Sequence, residues 1–354
     1  MSLLQRTLEN IYPQDSDSRD RAKARLDQLT MPHWALGDLM DLAIDLAGIT
    51  RSMDPPLKNK AVVTMAGDHG VTEEGVSKFP SEVTPQMVYN FVAGGAGINA
   101  LAKQAGSEVV VVDMGVNADL NELAEAGKII NKKVGLGTDN IARGPAMSHA
   151  MAQRAVESGI DIANDLGSRI DVFGTGDMGI GNTTPSAAIA AVVTGKSVAE
   201  LTGRGTGLDD EQLAHKITVV EKAIEVNRPD QKNGLDILAK VGGFEIGGIA
   251  GLILGAAAQK KPVIVDGFIS TAGALIAYTI EPFVRDYIIC AHRSMEPGHR
   301  FMQEKLGCRP LLDLNMRLGE GTGAALAMNL VEAAAGILTE VATFEEAAVA
   351  AANS

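Results

Sequence analysis

Short runs of apolar, mostly β-branched residues alternate along this chain with longer segments whose apolar positions follow a helical spacing. Nearly continuous apolar runs are typical of strands in a parallel sheet that helices cover on both faces. The predicted strands are 61–65, 109–112, 170–173, 263–265 and 287–289, and the predicted intervening helices are 84–105, 145–166 and 209–226. The pattern therefore predicts an α/β fold built on a parallel sheet.

Most of the predicted strands end in glycine or acidic residues. Such segments are 66–70, 113–115, 174–176 and 266–267. Because the carboxyl ends of parallel strands share one edge of the sheet, we expect these segments to lie together where open α/β folds bind ligands.

Both ends of the chain have a helical pattern. Apolar residues from Leu36 to Ala47 form the stripe of an amphipathic helix, and Pro55 and Pro56 end that section. The alanine-rich segments 322–338 and 344–351 predict helices at the other end. We therefore expect a smaller helical domain formed by 1–57 and 296–354 beside a large α/β domain, 58–295.

The composition excludes several classes of protein. Hydrophobic residues make up 46% of the chain and charged residues 21%, which excludes a disordered or fibrous chain. The formal net charge of −13 argues against nucleic acid or an anionic membrane as a partner. An anionic ligand would therefore have to be held by local groups.

The remaining bulk features predict a cytoplasmic protein. Cys290 and Cys308 are the only cysteines, and without CxxC spacing they favour a reducing compartment. The N-terminus turns charged after four residues, which is unlike a signal peptide. The longest apolar stretch, 246–257, is shorter than the about 20 residues of a membrane-spanning helix.

A glycine-rich segment, 174–184, follows the third predicted strand and precedes an apolar helix. Glycines let backbone amides approach an anion, and the N-terminus of a following helix adds partial positive charge. The segment predicts a phosphate site, although a purely structural turn is an open alternative. Gly174, Gly176 and Gly179 also match the dinucleotide fingerprint, but the acidic residue expected about 20 residues later is missing.

Two further glycine loops precede helices. After the loop 203–207, Lys216 lies on a helix at a distance from which it could neutralise a phosphate, although a lysine there would ordinarily be solvated. The loop 318–323 contains Glu320 before the last long helix. A carboxylate there is either an ordinary partner of the helix dipole or a general base left unshielded by its glycine neighbours.

The histidines do not predict a metal site. His69, His292 and His299 lie in predicted loops, and no HxH or HxxxH pair is present. A Gly-x-Ser-x-Gly motif of serine hydrolases is also missing. We therefore predict no metal and no cofactor.

Several of these loops together resemble one enzyme family. The matching segments, in the same order along the chain, are 67–71, 94–99, 178–184, 296–299 and 319–323. They are similar to nicotinate-nucleotide:dimethylbenzimidazole phosphoribosyltransferases, often called CobT, over most of the chain from about 61 to 331.

The resemblance implies a reaction and an assembly. Nicotinate mononucleotide and a benzimidazole base would give α-ribazole 5′-phosphate and nicotinate, with inversion at the ribose anomeric carbon, in the assembly of the cobalamin lower ligand. It also implies a Rossmann-like large domain that binds the nucleotide, a small helical domain from both chain ends whose C-terminal part, 296–354, carries the catalytic loop, and a homodimer. The implied partners are these small molecules.

The resemblance also implies roles for individual residues. Glu320 would be the general base, and Asp177 stands where relatives typically carry glutamate. Residues implied around the aromatic base are Gln86, Met178 and Leu318. Residues expected around the nucleotide phosphate and ribose are Gly174, Gly176, Asp177, Gly179, Gly181, Asn182, Thr183, Gly205, Lys216 and Ser294.

The implied chemistry needs few groups. When one azole nitrogen attacks the anomeric carbon, the N–H on the other nitrogen becomes acidic, and a single carboxylate can accept its proton. Nicotinate leaves without needing a proton.

Two other classes stay open: a dinucleotide-dependent oxidoreductase that uses 174–179, and a nucleotide-binding module without activity.

Overall fold

The computed structural model describes residues 1–205 and 207–350, which contain a six-stranded, entirely parallel sheet. The strands are β1 (Lys60–Gly67), β2 (Ser107–Gly115), β3 (Ile130–Asn131), β4 (Val172–Met178), β5 (Val263–Val265) and β6 (Ile288–Cys290). Their spatial order is β3-β2-β1-β4-β5-β6. The chain thus reverses its winding direction between β1 and β4, and this point in a Rossmann-like sheet opens a crevice for ligands.

Helices cover both faces of the sheet. In chain order they are α1 (Leu3–Leu8), α2 (Ser16–Leu26), α3 (Asp38–Thr50), α4 (Val83–Ala93), α5 (Gly97–Ala105), α6 (Asn121–Glu125), α7 (His149–Gly167), α8 (Thr183–Thr194), α9 (Val198–Leu201), α10 (Asp210–Asn227), α11 (Gly234–Val241), α12 (Phe244–Ala258), α13 (Phe268–Ile280), α14 (His299–Leu306) and α15 (Thr322–Glu340). Short 3-10 turns span Gly70–Glu74 and Pro282–Tyr287.

The two cores follow from the alternation of side chains along the strands. In β1, Val63 and Met65 join a core that includes α7, α8, α12 and α13, whereas Val62 and Ala66 join a core that includes α2, α3, α5 and α15. Because every residue of β1 is buried, the strand reads as a continuous apolar run rather than an alternating one.

The structure corrects three predicted elements. The predicted helix 84–105 is two helices, because Gly94 ends α4 in a left-handed conformation and Asn99 caps the start of α5. The strand predicted at 170–173 continues through Met178, so the first glycines of the expected loop lie within β4.

The third correction concerns the C-terminal segment. Residues 344–350 form turns instead of the predicted helix, and residue 351 lies outside the described residues. The Glu346 carboxylate accepts the Thr343 N–H (2.8 Å) and pairs with Arg25 (2.9 Å), which holds the chain in a turn.

Helices from both chain ends pack together. Helices α2, α3 and α15 contact one another, but α15 also lies on the sheet, and α1 packs on α7 and α12 at the opposite face. The division into domains 1–57, 58–295 and 296–354 stays a prediction.

Among the described residues, α15 is the one helix that is long and apolar enough to cross a membrane by length and composition. Sixty-one per cent of its apolar window is buried inside the protein. Because it contacts β1, β4 and β5, α15 is a core helix that packs on one face of the sheet.

The two cysteines form a disulfide that the sequence analysis did not predict. Cys290 ends β6 and Cys308 follows α14, with 6.0 Å between their Cα atoms. The pair therefore gives no support to the reducing compartment that the cysteine content suggested.

Candidate active site

A cavity of about 490 Å³ opens at the carboxyl edge of the sheet. Its walls come from the segments that follow β4, β5 and β6, from the loop before α15, and from α4 with the residues preceding it. The cavity therefore lies where the strand order predicts a ligand site.

Glu320 forms one end of the cavity, where its backbone adopts an unusual conformation. Its φ is +62°, in the left-handed region, between Gly319 (φ +85°) and Gly321 (φ +94°). Glutamate rarely adopts this conformation, so its surroundings must stabilise it. The Thr64 hydroxyl donates to the Glu320 carbonyl oxygen (2.9 Å) and helps to do so.

The Glu320 side chain is held at the N-terminus of α5. Its Oε2 accepts the backbone N–H of Ile98 (3.0 Å). Burial raises the pKa of the Glu320 carboxyl, the Ile98 N–H lowers it, and the negative charge of Asp266 raises it further. The carboxylate is thus a stronger base than an exposed glutamate, with one oxygen anchored.

Asp177 lies at the end of β4, on the same side of the cavity as Glu320. Its Oδ2 accepts from the Asn182 amide (3.0 Å), while its Oδ1 is buried without a hydrogen-bond partner among the described residues. Burial, followed by the charge of Asp266, raises the pKa of Asp177 well above its usual range. The side chain is therefore suited to meet a ligand in its protonated form.

A second part of the cavity wall, around Thr183 and Gly205, is backed by a lysine, and we call it the basic end. Lys216 on α10 is 1% exposed, and its Nζ donates to Thr183 Oγ1 (2.6 Å) at the first residue of α8. Burial lowers the pKa of Lys216 to about 8, against the opposing charge of Glu296. The lysine, the α8 N-terminus and the adjacent Gly205 together form a site for an anion.

Glu296 faces the same lysine. Burial raises the pKa of the Glu296 carboxyl, while Lys216 and a hydrogen bond from the Gly205 N–H lower it. Its Oε2 is buried without a partner among residues 1–205 and 207–350. This end of the cavity therefore pairs its cation with a carboxylate.

A chain of hydrogen bonds joins two walls of the cavity behind its surface. The Ser294 N–H donates to His299 Nδ1 (2.9 Å), and His299 Nε2 lies 2.8 Å from Thr271 Oγ1, which donates to the Gly267 carbonyl. Burial lowers the pKa of His299 to about 3. The neutral imidazole thus has Nε2 protonated, and it fixes Ser294 and Gly267 in relation to each other.

Comparisons with known proteins identify the family. A family model described as phosphoribosyltransferase matches residues 11–349. A relative from Desulfotalea psychrophila, named nicotinate-nucleotide–dimethylbenzimidazole phosphoribosyltransferase, is 71% identical over 99% of both chains. A relative of the same name from Geobacter sulfurreducens is 56% identical over 99% of both chains.

The chain belongs to the nicotinate-nucleotide–dimethylbenzimidazole phosphoribosyltransferase family. Two solved structures from Thermus thermophilus have the same fold. The enzyme of that name is 43% identical with a TM-score of 0.90 and covers 96% of this chain and 100% of its own. The structure titled CobT is 44% identical with a TM-score of 0.91 and covers 95% and 100%. The predicted parallel α/β fold is thereby confirmed.

Most of the residues predicted for this phosphoribosyltransferase site line the cavity. They are Asp177, Met178, Gly179, Gly181, Asn182, Thr183, Gly205, Ser294, Leu318 and Glu320. Lys216 lies directly behind Thr183. Their roles toward substrate stay predictions.

Besides Lys216, three predicted residues do not line the cavity. Gly174 and Gly176 lie within β4, where an added Cβ would press on α15 or overlap the Glu320 carbonyl oxygen. Their missing side chains therefore have a packing reason. Gln86 lies on the exposed face of α4, next to Met87, which does line the cavity.

The placement of these glycines also argues against the alternative function, a dinucleotide-dependent oxidoreductase. A dinucleotide fingerprint needs its glycines in the turn after a strand, and Gly174 and Gly176 are paired within β4 instead. Membership of a phosphoribosyltransferase family agrees with this correction.

Sequence reasoning missed several residues of the site. Glu296 stood in a matched motif but received no role, and His292 was considered only as a metal ligand. The apolar wall formed by Phe79, Val83 and Met87 had no signal beyond its hydrophobicity.

No group of three or more His, Cys, Asp or Glu side chains is arranged to hold a metal ion in the part of the chain that the structure describes. The absence of a metal and of a cofactor from the reaction stays a prediction.

Proposed function

We propose that this chain transfers the 5-phosphoribosyl group of nicotinate mononucleotide to 5,6-dimethylbenzimidazole or a related base. The products are α-ribazole 5′-phosphate, a part of the cobalamin lower ligand, and nicotinate. The observation that supports this proposal is a cavity with a buried basic end and an anchored carboxylate at the other end, in a chain of this family.

The acidic end suits proton transfer. One azole nitrogen attacks the anomeric carbon while the bond from that carbon to the pyridinium nitrogen breaks, and its electron pair returns to the departing nicotinate. Glu320 then accepts the proton from the other azole nitrogen. With Oε2 anchored by Ile98, Oε1 is the oxygen available for that proton.

The basic end suits the phosphate of the nucleotide. The Lys216 ammonium, the Thr183 hydroxyl and the N-terminus of α8 offer charge and donors to its oxygens. Holding both substrates converts their encounter into a step within one complex, which contributes more to the rate than proton transfer alone.

Glu320→Gln tests the proposal because it keeps the shape of the side chain and removes the proton acceptor. We expect kcat for α-ribazole phosphate to fall about 10²–10⁴-fold, the usual contribution of general-base catalysis, with little change in KM for nicotinate mononucleotide. The product is resolved by mass and its anomer by NMR.

Glu340→Gln, at the exposed C-terminal end of the helix α15 that follows Glu320, is the matched control and should retain full turnover. Normal turnover in the Glu320 variant would remove this residue from the mechanism. If the unaltered chain binds nicotinate mononucleotide but forms no product with any base, a nucleotide-binding module is favoured instead.

The assembly is proposed to be a homodimer. Large apolar side chains stay exposed around the cavity mouth, among them Phe79 (51% exposed) and Leu318 (60% exposed). Exposed apolar groups of this size are typical of protein interfaces. Light scattering coupled to size-exclusion chromatography should give twice the 37.0 kDa chain mass, and a monomer would contradict the proposal.

The cytoplasm is proposed as the location, because a phosphorylated nucleotide does not cross membranes unaided. Cell fractionation tests this location. The phosphoribosyltransferase activity should follow cytosolic marker enzymes, and activity that follows the markers of an oxidising compartment would contradict the proposal.

A further inference from the structure

The strained backbone of Glu320 needs support that Thr64 and Ile98 do not provide alone. A non-glycine residue with positive φ costs of order 1–3 kcal/mol and persists only where its neighbours hold it. Thr64 contacts the carbonyl group of Glu320, and Ile98 contacts its side chain. The peptide that follows Glu320 requires a third partner.

Asp266 is that partner. It follows β5, its side chain is fully buried, and it does not line the cavity. Its Oδ2 accepts the N–H of Gly321 (3.0 Å), and its Oδ1 accepts the N–H groups of Gly323 (2.7 Å) and Ala324 (3.1 Å). Both oxygens are thus bound to the segment that begins immediately after Glu320.

We propose that Asp266 is the positioning residue of the general base: it fixes the left-handed turn at Glu320 and so directs that carboxylate to the α5 N-terminus and the cavity. The inference rests on the proposed function, because it assigns Asp266 an effect only through Glu320. Substrate touches Glu320 and not Asp266.

Close packing around Gly323 leaves little room for another conformation of the turn at Glu320. An added Cβ at Gly323 would overlap the His292 ring and come within 2.7 Å of Asp266 Oδ1. The His292 Nε2 lies 3.6 Å from the same oxygen. Asp266 therefore joins β5, the segment after β6 and the start of α15 at one buried point.

The charge of Asp266 affects the pH dependence of kcat, which a purely structural role would leave unchanged. The charged or titratable groups that act on Glu320 are Asp266 after β5 and Asp177 at the end of β4. His292 after β6 lies beside Asp266, and Arg317 on the loop of Glu320 acts on Glu296. Helix α5 contributes only N–H groups at this point. Asp266 raises the pKa of Glu320, so neutralising Asp266 moves the acid limb of kcat to lower pH.

The test is a double-mutant cycle of Asp266→Asn and Glu320→Gln in the full chain. Asn at 266 removes the charge and turns an N–H donor toward the Gly321 N–H. We expect kcat to fall about 10²-fold, as for a misplacement of roughly 1 Å, with KM for nicotinate mononucleotide within about twofold and the acid limb at lower pH. In the Glu320→Gln background the same change should cost almost nothing further.

Asp113→Asn is the matched control. Asp113 is another buried aspartate at the carboxyl edge of the sheet, where it accepts the Val116 N–H (2.9 Å) and pairs with Lys133 (3.1 Å), away from Glu320. Its variant should keep kcat and the pH profile. Calorimetric binding of nicotinate mononucleotide confirms that each variant is folded.

The outcomes separate the two proposals. If Glu320→Gln impairs turnover while Asp266→Asn does not, or if the two losses are independent, the positioning role is overturned and the proposed function stands. If Glu320→Gln turns over normally, the general base is wrong. Should Asp266→Asn fail to bind nucleotide, Asp266→Ser, which leaves room for a water molecule, is used in the same cycle with the same expectations.

Discussion

The two ends of the cavity are built in different ways. The basic end comes mainly from one stretch of chain, 179–183, which leads into α8 and is completed by Lys216 and Gly205. The acidic end brings Glu320 together with Thr64 and Ile98, which are far from it in sequence. Anion binding can be encoded locally by a loop and a helix N-terminus, whereas a precisely placed base depends on several strands.

After Glu320→Gln, the largest expected effect comes from disturbing the acidic end through a glycine. In Gly176→Ala the new Cβ overlaps the Glu320 carbonyl oxygen and lies 2.8 Å from Thr64 Oγ1. Both neighbours belong to the turn and its support, so the turn has to shift. We expect kcat to fall about 10²-fold, measured by steady-state kinetics with both substrates saturating.

Gly174→Ala is the same change two residues earlier on β4. Its Cβ would lie 3.0 Å from the methyl end of Met328, 3.1 Å from Ala324 Cβ and 3.2 Å from Val62 Cγ2. These neighbours have to give by a few tenths of an ångström, but none of the three atoms belongs to Glu320. We expect turnover within about threefold of normal. Equal losses in the two variants would mean that β4 tolerates no side chain at either position, and Gly176 would then have no specific role in supporting the turn at Glu320.

A smaller effect is expected at the basic end and in a different parameter. Lys216→Met removes the buried charge, so KM for nicotinate mononucleotide should rise roughly 10- to 100-fold, the equivalent of one hydrogen bond to a charged group. KM for the benzimidazole base should not change. Lys222→Met, exposed on the same helix, is the control, and an increase in both KM values would contradict the separation of the two ends.

The same lysine predicts a pH dependence. We propose that Lys216 binds the phosphate as the cation. Because burial lowers the pKa of Lys216 to about 8, kcat/KM for nicotinate mononucleotide should fall as pH rises through about 8. This limb should be missing from Lys216→Met. A limb that persists in the variant would assign the titration to another group.

The smallest effect is expected at the exposed rim of the acidic end. Leu318→Ala removes apolar surface from a side chain that is 60% exposed, so KM for the aromatic base should rise only about fivefold. Leu314→Ala, 57% exposed and outside the cavity lining, should change nothing. A larger effect on the nucleotide than on the base would reverse the assignment of the two ends.

Much of this architecture was predictable because it depends on local patterns. The apolar runs predicted every strand except the two-residue β3. The glycine segments predicted the cavity only in part, because 266–267 contributes to its lining, 66–70, 113–115 and 174–176 do not, and the segment after β6 does so without having been predicted. The sequence analysis did not predict that β4 extends through Met178, because glycines ordinarily indicate a turn. Only the structure shows that Gly174 and Gly176 are needed for close packing against the start of α15 and the residue before it.

The amino-acid sequence alone determined the α/β fold, the prediction of a phosphate site in 174–184 and the candidacy of Glu320, because periodicity, helix starts and glycine content act over a few neighbouring residues. Only the tertiary structure decided that Asp266, Thr64 and Ile98 converge on Glu320 and that Gly176 makes room for it. Such contacts join distant segments whose hydrogen bonds and packing leave no periodic trace in the sequence, so they become visible only when the strands lie side by side.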